Sequence, residues 1–460
     1  MSAPATVHHP RIADIVGARN IITDPQGLAA YAVDAIEPQV AARPANAQEV
    51  AQLVAFAASE NLAVIPTAAR TQLSIGMPPA RYDLAIDMTR LDRVISYDPG
   101  DLTLSVEPGI RLARLAETLA KHNQFLPLSV PFYERATVGG TLASGLDSPL
   151  RQAYGTARDF VLGMEFVSGD GALTKSGGRV VKNVSGYDLH KLFIGSIGSL
   201  GVITRINFKT FPLPSSERLF VASLPSSDGA LALRQRIAAS PISPSTLEIL
   251  SPEIASLLFP SKAKFPSLDA ARSSPSDWLL LAGISGSSAV LDHCSSDLSQ
   301  LADQCDAKRS EMLSGSEREG VSSVVREAVP LIIQSSPSAI VLKITALPSD
   351  VHDVLQFVAS ESERYDVRPS ALIRGVGVLY LFVLPDSPEA QKERAVVRQD
   401  ILQAGERHNF RATVITCPSE WKRELGVWGP LHDDFLLMQR VKRAFDPRNI
   451  FAPGRFVGGL

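Results

Sequence analysis

ATVGGTLASGLDSPLRQAYGTARDFVLGMEF, residues Ala136–Phe166, is the stretch on which the reading of this chain turns. Its paired glycines, Gly139 and Gly140, sit among small side chains. Such a run lets backbone pass close to a phosphate or a flat ring, with free N–H groups to donate. It also suits a tight turn packed against a helix, and composition alone does not choose between the two. Further on, Gly195-Ser196-Ile197-Gly198-Ser199-Leu200-Gly201 places a glycine at every third position before the β-branched run Val202-Ile203-Thr204. This is not a dinucleotide fingerprint, because it precedes a strand, whereas that motif follows a strand and opens a helix. No nicotinamide site is expected. The segments Arg151–Asp159 and Val181–Asp188 each read alone as ordinary loops.

Working outward, the spacing predicts a helix over Pro44–Ala58 with Asn46 as N-cap, and a buried strand over Leu62–Pro66. Strands are expected at Leu84–Met88 and Leu102–Val106, with the turn Asp98-Pro99-Gly100 between them. An amphipathic helix follows at Arg111–His122. Phe160–Ser168 and Ala172–Lys175 flank Gly169-Asp170-Gly171 as a hairpin, and a strand over Gly201–Phe208 closes this half. Pro212 and Pro214 mark a boundary.

Beyond it, two cycles of strands and helices, whose kinship the sequence leaves open, run to His408 and suit an α+β sandwich with helices on one side. Pro260–Ser276 reads as a surface loop. A last helix is expected over Asp433–Ala444.

The chain has 460 residues, 45% hydrophobic and 20% charged, with a net charge of −3. That size suggests two or three domains, and the balance gives no sign of nucleic-acid binding. No apolar run is long enough to cross a bilayer, and the N-terminus lacks a signal-peptide pattern. A cytoplasmic protein is expected. The three cysteines, Cys294, Cys305 and Cys417, are too sparse for a disulfide framework or an iron–sulfur cluster. Electrons leaving this chain would need another subunit to carry them.

Taken together and in this order, Ala136–Phe166, Ser176–Thr204, Val427–Pro430 and Lys442–Phe456 resemble a known family. Residues from about Arg43 to Pro212 are similar to the FAD-binding domain of the vanillyl-alcohol-oxidase (PCMH-type) flavoproteins. The nearer resemblance is to the FAD-binding subunits of bacterial glycolate oxidases. The match is dense over the first half and good over the last thirty or so residues; the middle is only compatible with it. It implies an α+β protein: a two-lobed FAD-binding domain (1–214), a ferredoxin-like cap (215–429), and a C-terminal segment (430–460) returning to the flavin domain. By the same resemblance Thr137, Val138, Gly139, Gly140, Ser144, Gly155, Gly201, Val202 and Ile203 line non-covalent FAD.

Two departures from the family pattern matter. The pyrophosphate loop of the family has glycines where this chain reads Pro66-Thr67-Ala68-Ala69-Arg70-Thr71-Gln72-Leu73. If the loop needs positive φ, Ala and Arg are costly there. Arg70 either pairs with the phosphates or sits in solvent. FAD binding is expected to persist, because the other motifs are intact.

The second departure is in the cap. The catalytic subunit of these complexes carries His-Ala-Gly-Asp-Gly-Asn-Leu-His, whereas this chain has Ile373–Tyr380, without either histidine. No metal site is expected. The eight histidines show no ligand spacing, and His190 reads as structural. No His or Cys lies in the 66–76 loop or the TVGG stretch, so a covalent flavin link is not expected.

Oxidising a 2-hydroxy acid needs a hydride acceptor, a base and a cation for the carboxylate. Arg374 and Arg455 are the candidate carboxylate partners. Tyr187, Lys182, Tyr380 and His432 are weaker candidates for acid–base or hydrogen-bonding roles.

The leading expectation is a non-catalytic or electron-relaying FAD subunit, with a catalytic flavoprotein and an iron–sulfur protein as partners, cytoplasmic or peripheral at the inner membrane through them. The alternatives are a self-sufficient 2-hydroxy-acid dehydrogenase and a scaffold that has lost FAD.

Overall fold

The computed structural model describes residues 9–179, 186–260, 264–385, 387, 389–405 and 407–460. The N-terminal half carries two sheets. The first holds β1 (Ile21–Ile22), β2 (Val40–Ala42), β3 (Val64–Thr67) and β4 (Leu84–Asp87) in the order β1-β2-β4-β3. Strands β2, β4 and β3 run parallel. The helix Ala47–Ser59 crosses from β2 to β3. Asn46 caps it by accepting from Glu49 N at 2.9 Å, which satisfies one donor left orphaned by the first turn. Val50, Leu53, Val54 and Ala57 recur at helical spacing and bury against Val40, Val64 and Ile86.

The second sheet is antiparallel: β5 (Val94–Asp98) and β6 (Thr103–Val106), then, after the short β7 (Gln124–Phe125), β8 (Val161–Val167), β9 (Leu173–Gly177) and β10 (Val202–Lys209). Their order is β5-β6-β10-β8-β9, and β7 pairs apart with β11 (Phe211–Pro212). The Asp98-Pro99-Gly100 turn joins β5 to β6, so the expected pair of strands was one strand short. Leu84–Asp87 belongs to the other sheet. Strand β5 lacks a continuous apolar run and is only half-buried, which hid it.

Residues 217–416 form one eight-stranded sheet. Its first four strands are β12 (Glu217–Leu224), β13 (Thr246–Leu250), β14 (Trp278–Ser285) and β15 (Arg309–Leu313). The other four are β16 (Ile340–Ala346), β17 (Ser370–Arg374), β18 (Val378–Val383) and β19 (Phe410–Thr416). The order is β15-β12-β14-β13-β17-β18-β16-β19. Each quartet has a βαββαβ frame, the first with two helices inserted between β13 and β14, and the two join through antiparallel pairing of β13 with β17. The suspected kinship of the two cycles is visible in this repeated topology, and the α+β class holds.

Helices cover both faces of this sheet, not one. Ser227–Ala239, Ser288–Asp303 and Val351–Glu363 pack on one side. Pro252–Leu258, Pro266–Ala271, Gly315–Arg326 and Ala328–Ser335 pack on the other. The 260–276 region is therefore not simply a surface loop. Phe265, Leu268 and Ala271 fall three residues apart and are buried.

The chain then returns to its first half. Val64 N donates to Ile450 O at 2.7 Å and Ala452 N to Val64 O at 2.8 Å. Lys442, buried in the last helix Phe435–Phe445, donates to Ser199 O, Phe451 O and Asp446. Among the described residues no helix is long and apolar enough to cross a membrane.

Candidate functional site

Between the two N-terminal sheets lies a cavity of about 820 Å³ counted to its open mouth. Pro66, Ala68, Ala69, Arg70, Thr71, Gln72 and Leu73 form one wall. Thr137, Gly139, Gly140 and Ser144 form a second, and Gly201, Val202 and Ile203 a third. The residues 136–145 fold as a short helix, Val138–Ser144, with Thr137 as its N-cap. Gly139 is required there, since a Cβ would lie 2.5 Å from Pro108 Cβ and 3.0 Å from Pro108 O. Gly140 is less confined, since such a Cβ would meet only Thr137 Oγ1, at 3.1 Å.

Two of the expected residues lie elsewhere. Val138 is fully buried in the hydrophobic core under the antiparallel sheet, on the inner face of its helix. Gly155 terminates the helix Arg151–Tyr154 with φ +76° against the Asp159 carboxylate and does not line the cavity. The sequence reading did not single out Thr67, Met88, Pro108 or Ala143, which also line it. Ser196, Ile197 and Gly198 line it too, and the glycine spacing at 195–201 was their signal.

The loop after β3 retains the backbone shape that glycine would give. Arg70 adopts φ +60°, the left-handed region, at a cost of about 1 kcal/mol for a residue with a side chain. Its side chain is 32% exposed. It stacks 4.5 Å from the Tyr31 ring centroid and pairs with Asp87 Oδ2 at 3.3 Å. Asp87 also accepts from Tyr31 Oη at 2.6 Å and Thr89 N at 2.9 Å. Among the described residues, no acceptor takes the N–H groups of Ala69, Arg70, Thr71 or Gln72. Thr67 Oγ1 is buried without a partner. Successive free donors on a cavity wall fit a pyrophosphate.

Two buried cations grip the chain directly beyond those donors. Arg455 Nη2 donates to Leu73 O and Ile75 O, and Lys422 Nζ donates to Ser74 O and Gly76 O. Lys422 comes from the eight-stranded unit and Arg455 from the C-terminal segment, so both tie distant parts of the chain to this loop. Lys422 is neutralised by Asp34 at 2.6 Å, itself buried. Burial lowers the Lys422 pKa, against the pull of Asp34. Burial also pushes Arg455 down to about 10, opposed by Asp34 and Tyr82. Arg455 is thus a structural tie, and it also lines the flavin cavity with its Nε free of any hydrogen-bond partner.

A second cavity, about 1300 Å³ counted to its open mouth, adjoins the first at Thr71 and Gln72. Arg374, at the end of β17, is 6% exposed and lines it. Its guanidinium lies 5.0 Å from the Tyr380 ring centroid and 3.5 Å from Glu248 Oε1, too far for a hydrogen bond. Arg374 Nε and Nη1 have no hydrogen-bond partner.

Nearby, Asp147 pairs with Arg151 and Lys343, each at 2.9 Å. Burial works against the Asp147 carboxylate, but Lys343, Arg374 and Arg151 outweigh it and lower its pKa. Burial pushes the Glu248 carboxyl up, against Arg374. Three cations, Arg374, Arg151 and Lys343, therefore meet two carboxylates, Asp147 and Glu248.

Of the other candidates, Tyr380 stays with this ensemble and the rest do not join it. Tyr380 lines the second cavity. Tyr187 is 90% exposed and lines neither cavity. Lys182 lies outside the described residues. His432 lines neither cavity. His190 is buried, with Nδ1 3.1 Å from Ser176 Oγ. Among the described residues no histidine or cysteine lines either cavity, and no group of three metal-ligating side chains occurs.

These features define a flavoprotein. The FAD binding domain family matches residues 38–177, and the C-terminal domain of the FAD linked oxidases matches 213–397 and 432–456. The chain thus carries both domains of an FAD-linked oxidase, it is an oxidoreductase, and its cofactor is FAD.

The chain is 24% identical to glycolate oxidase subunit GlcD of Bacillus subtilis, over 97% of this chain and 95% of that one. It is 36% identical to glycolate oxidase subunit GlcE of Escherichia coli, over 36% of this chain and 47% of that one, so it spans about half that relative's length. Among solved structures, p-cresol methylhydroxylase superposes with a TM-score of 0.76 at 16% identity, covering 97% of this chain and 95% of that one. That likeness establishes the PCMH-type fold.

Proposed function

We propose that this chain is the FAD-holding subunit of a complex that oxidises a 2-hydroxy acid, with glycolate oxidase as the model. The observation that carries the reading is Arg374: a buried guanidinium whose Nη1 has no partner and whose Nε has only the Glu248 carboxylate, 3.5 Å away, in a cavity that adjoins the flavin cavity. In such a site a guanidinium takes a carboxylate with charge-assisted hydrogen bonds. The relatives named as glycolate oxidase subunits support the choice of acid and of a multi-subunit assembly.

When bound, FAD supplies the acceptor for the hydride of the hydroxy acid. The residues of this chain do the rest of the holding. Ala69–Gln72 donate backbone N–H groups to the pyrophosphate. Arg455 and Lys422 keep that loop in place, and Arg374 orients the carboxylate. Among the described residues no histidine lines either cavity to receive the hydroxyl proton. That favours a subunit working with a catalytic flavoprotein, with electrons leaving through an iron–sulfur partner.

The test is to purify the chain alone and with whatever it binds in its own cells, then add glycolate or D-lactate without oxygen. The chain alone should show a flavin spectrum, released on denaturation, that the acids do not bleach. The assembly should bleach. Full bleaching of the isolated chain at the assembly's rate would replace the subunit reading with a self-sufficient dehydrogenase.

A further inference from the structure

The cavity around Arg374 is lined by more hydrocarbon than polar surface. One wall is the helix Ala328–Ser335, whose Val329 and Ile333 lie one turn apart and face the cavity. The sheet contributes Leu372 and Phe382, from neighbouring strands β17 and β18, and the N-terminal half contributes Phe132. The carboxylate of Glu327 at the edge is already spent. It accepts from Phe132 N at 2.6 Å and Tyr133 N at 3.2 Å, which pins this helix pair to the N-terminal half. The Arg326 guanidinium stacks 4.6 Å from the Tyr133 ring. Arg374 is left as the one buried cation among the cavity's described lining residues with donors unmet, at the end of a largely hydrocarbon hollow.

Free donors on a desolvated cation call for an anion, and apolar walls call for hydrocarbon. A two-carbon acid would satisfy Arg374 and leave most of the cavity unfilled. We infer that this cavity is a binding site for monocarboxylates with an apolar body of roughly four to eight carbons, held head-on by Arg374 with the body along Val329, Ile333, Leu372 and Phe382. This rests on the proposed function in one respect: it assigns the 2-hydroxy acid of that reading an aliphatic or aromatic substituent. The site itself does not depend on turnover. The three cations set against two carboxylates around Arg374 add a local excess of positive charge that a carboxylate head would neutralise.

The experiment is calorimetric titration of the FAD-loaded protein with acetate, butyrate, hexanoate and octanoate, none of which can be oxidised at a hydroxyl. Affinity should climb about three- to fourfold per added methylene. Arg374→Met should weaken every member at least tenfold and keep the chain-length slope. Ile333→Ser, at the half-buried wall, should flatten the slope and spare acetate; it keeps the test alive if Arg374→Met does not fold.

Equal affinity across the series, or tightest binding by acetate, overturns the inference. A clear slope, with no 2-hydroxy acid of any length reducing the flavin of the assembly, leaves this site standing and removes the proposed function. Turnover of glycolate by the assembly with a flat slope does the reverse.

Discussion

Lys422→Met removes a charge from a place where the fold has little else to offer. The methionine keeps the length and apolar stem of lysine, so the change is close to a deletion of the ammonium. Asp34 is then left buried, and Ser74 O and Gly76 O lose their shared donor. Breaking a buried ion pair from one side costs about 3–5 kcal/mol. The two carbonyl bonds fall within that figure, because they are lost with the same ammonium. A drop of about 4 kcal/mol is a large part of the 5–15 kcal/mol that holds a typical protein folded.

Asp34→Asn should undo part of this damage. It removes the stranded charge at a position whose φ of +50° asparagine tolerates well. The double variant should recover about 2 kcal/mol relative to the sum of the two single changes. Urea unfolding of all four proteins reads the cycle, and flavin fluorescence reads FAD affinity. Lys422→Met should also lose at least tenfold in FAD affinity, because the chain beyond the Ala69–Gln72 donors is no longer held. Strict additivity of the two changes, or a loss below about 1 kcal/mol, would refute the reasoning.

Arg70→Gly relieves about 1 kcal/mol of backbone strain, but gives up the Tyr31 stack and the Asp87 pair and frees the unfolded chain. It should cost about 1 kcal/mol net in unfolding experiments and leave FAD affinity within about threefold, since the backbone donors remain. A loss beyond tenfold would mean that the guanidinium itself holds the cofactor. Gly139→Ala should cost about 1–3 kcal/mol by overpacking against Pro108, with a lower thermal midpoint.

His190 gives a pH prediction. Burial lowers its pKa below 6.5, so within that window the folded chain binds fewer protons than the unfolded one. Stability from this group is present above pH 6.5 and lost as pH falls through the folded value. Denaturation at pH 7 and pH 5 should show the loss, and His190→Asn should flatten it.

Much of the fold was legible because its elements carry local signals. Asn46 before an apolar stripe, the Gly169-Asp170-Gly171 hairpin and the amphipathic helix Leu112–Ala120 all state their structure within a few residues. The glycine-rich walls of the flavin cavity were legible for the same reason. What escaped depended on partners far away in sequence. Strand β5 is half-exposed and is defined by β6. The face of Val138 follows from the helix, and nothing in the string TVGG distinguishes the residue that turns into the core from those beside it. Lys422 and Asp34 are 388 positions apart (422 − 34), and neither lies in a motif.

The loop at 66–76 shows how such distant contacts can replace a local rule. A pyrophosphate turn built on glycines gets its shape from their freedom, and each glycine exchanged for a side chain narrows that freedom. Here Arg70 holds φ +60° against its own preference. A strained residue persists only where its surroundings over-determine it. Those surroundings can be named: Tyr31 and Asp87 anchor the side chain of Arg70, while Arg455 and Lys422 hold the four carbonyls from Leu73 to Gly76. The sequence of the loop argues against a flavin site, and the tertiary contacts behind it restore one. It follows that the strain at Arg70 and the grip on residues 73–76 are a single device. Weakening the grip in Lys422→Met should therefore make Arg70→Gly less harmful than in the parent, or even favourable, because a loop no longer clamped regains from glycine the freedom it had given up.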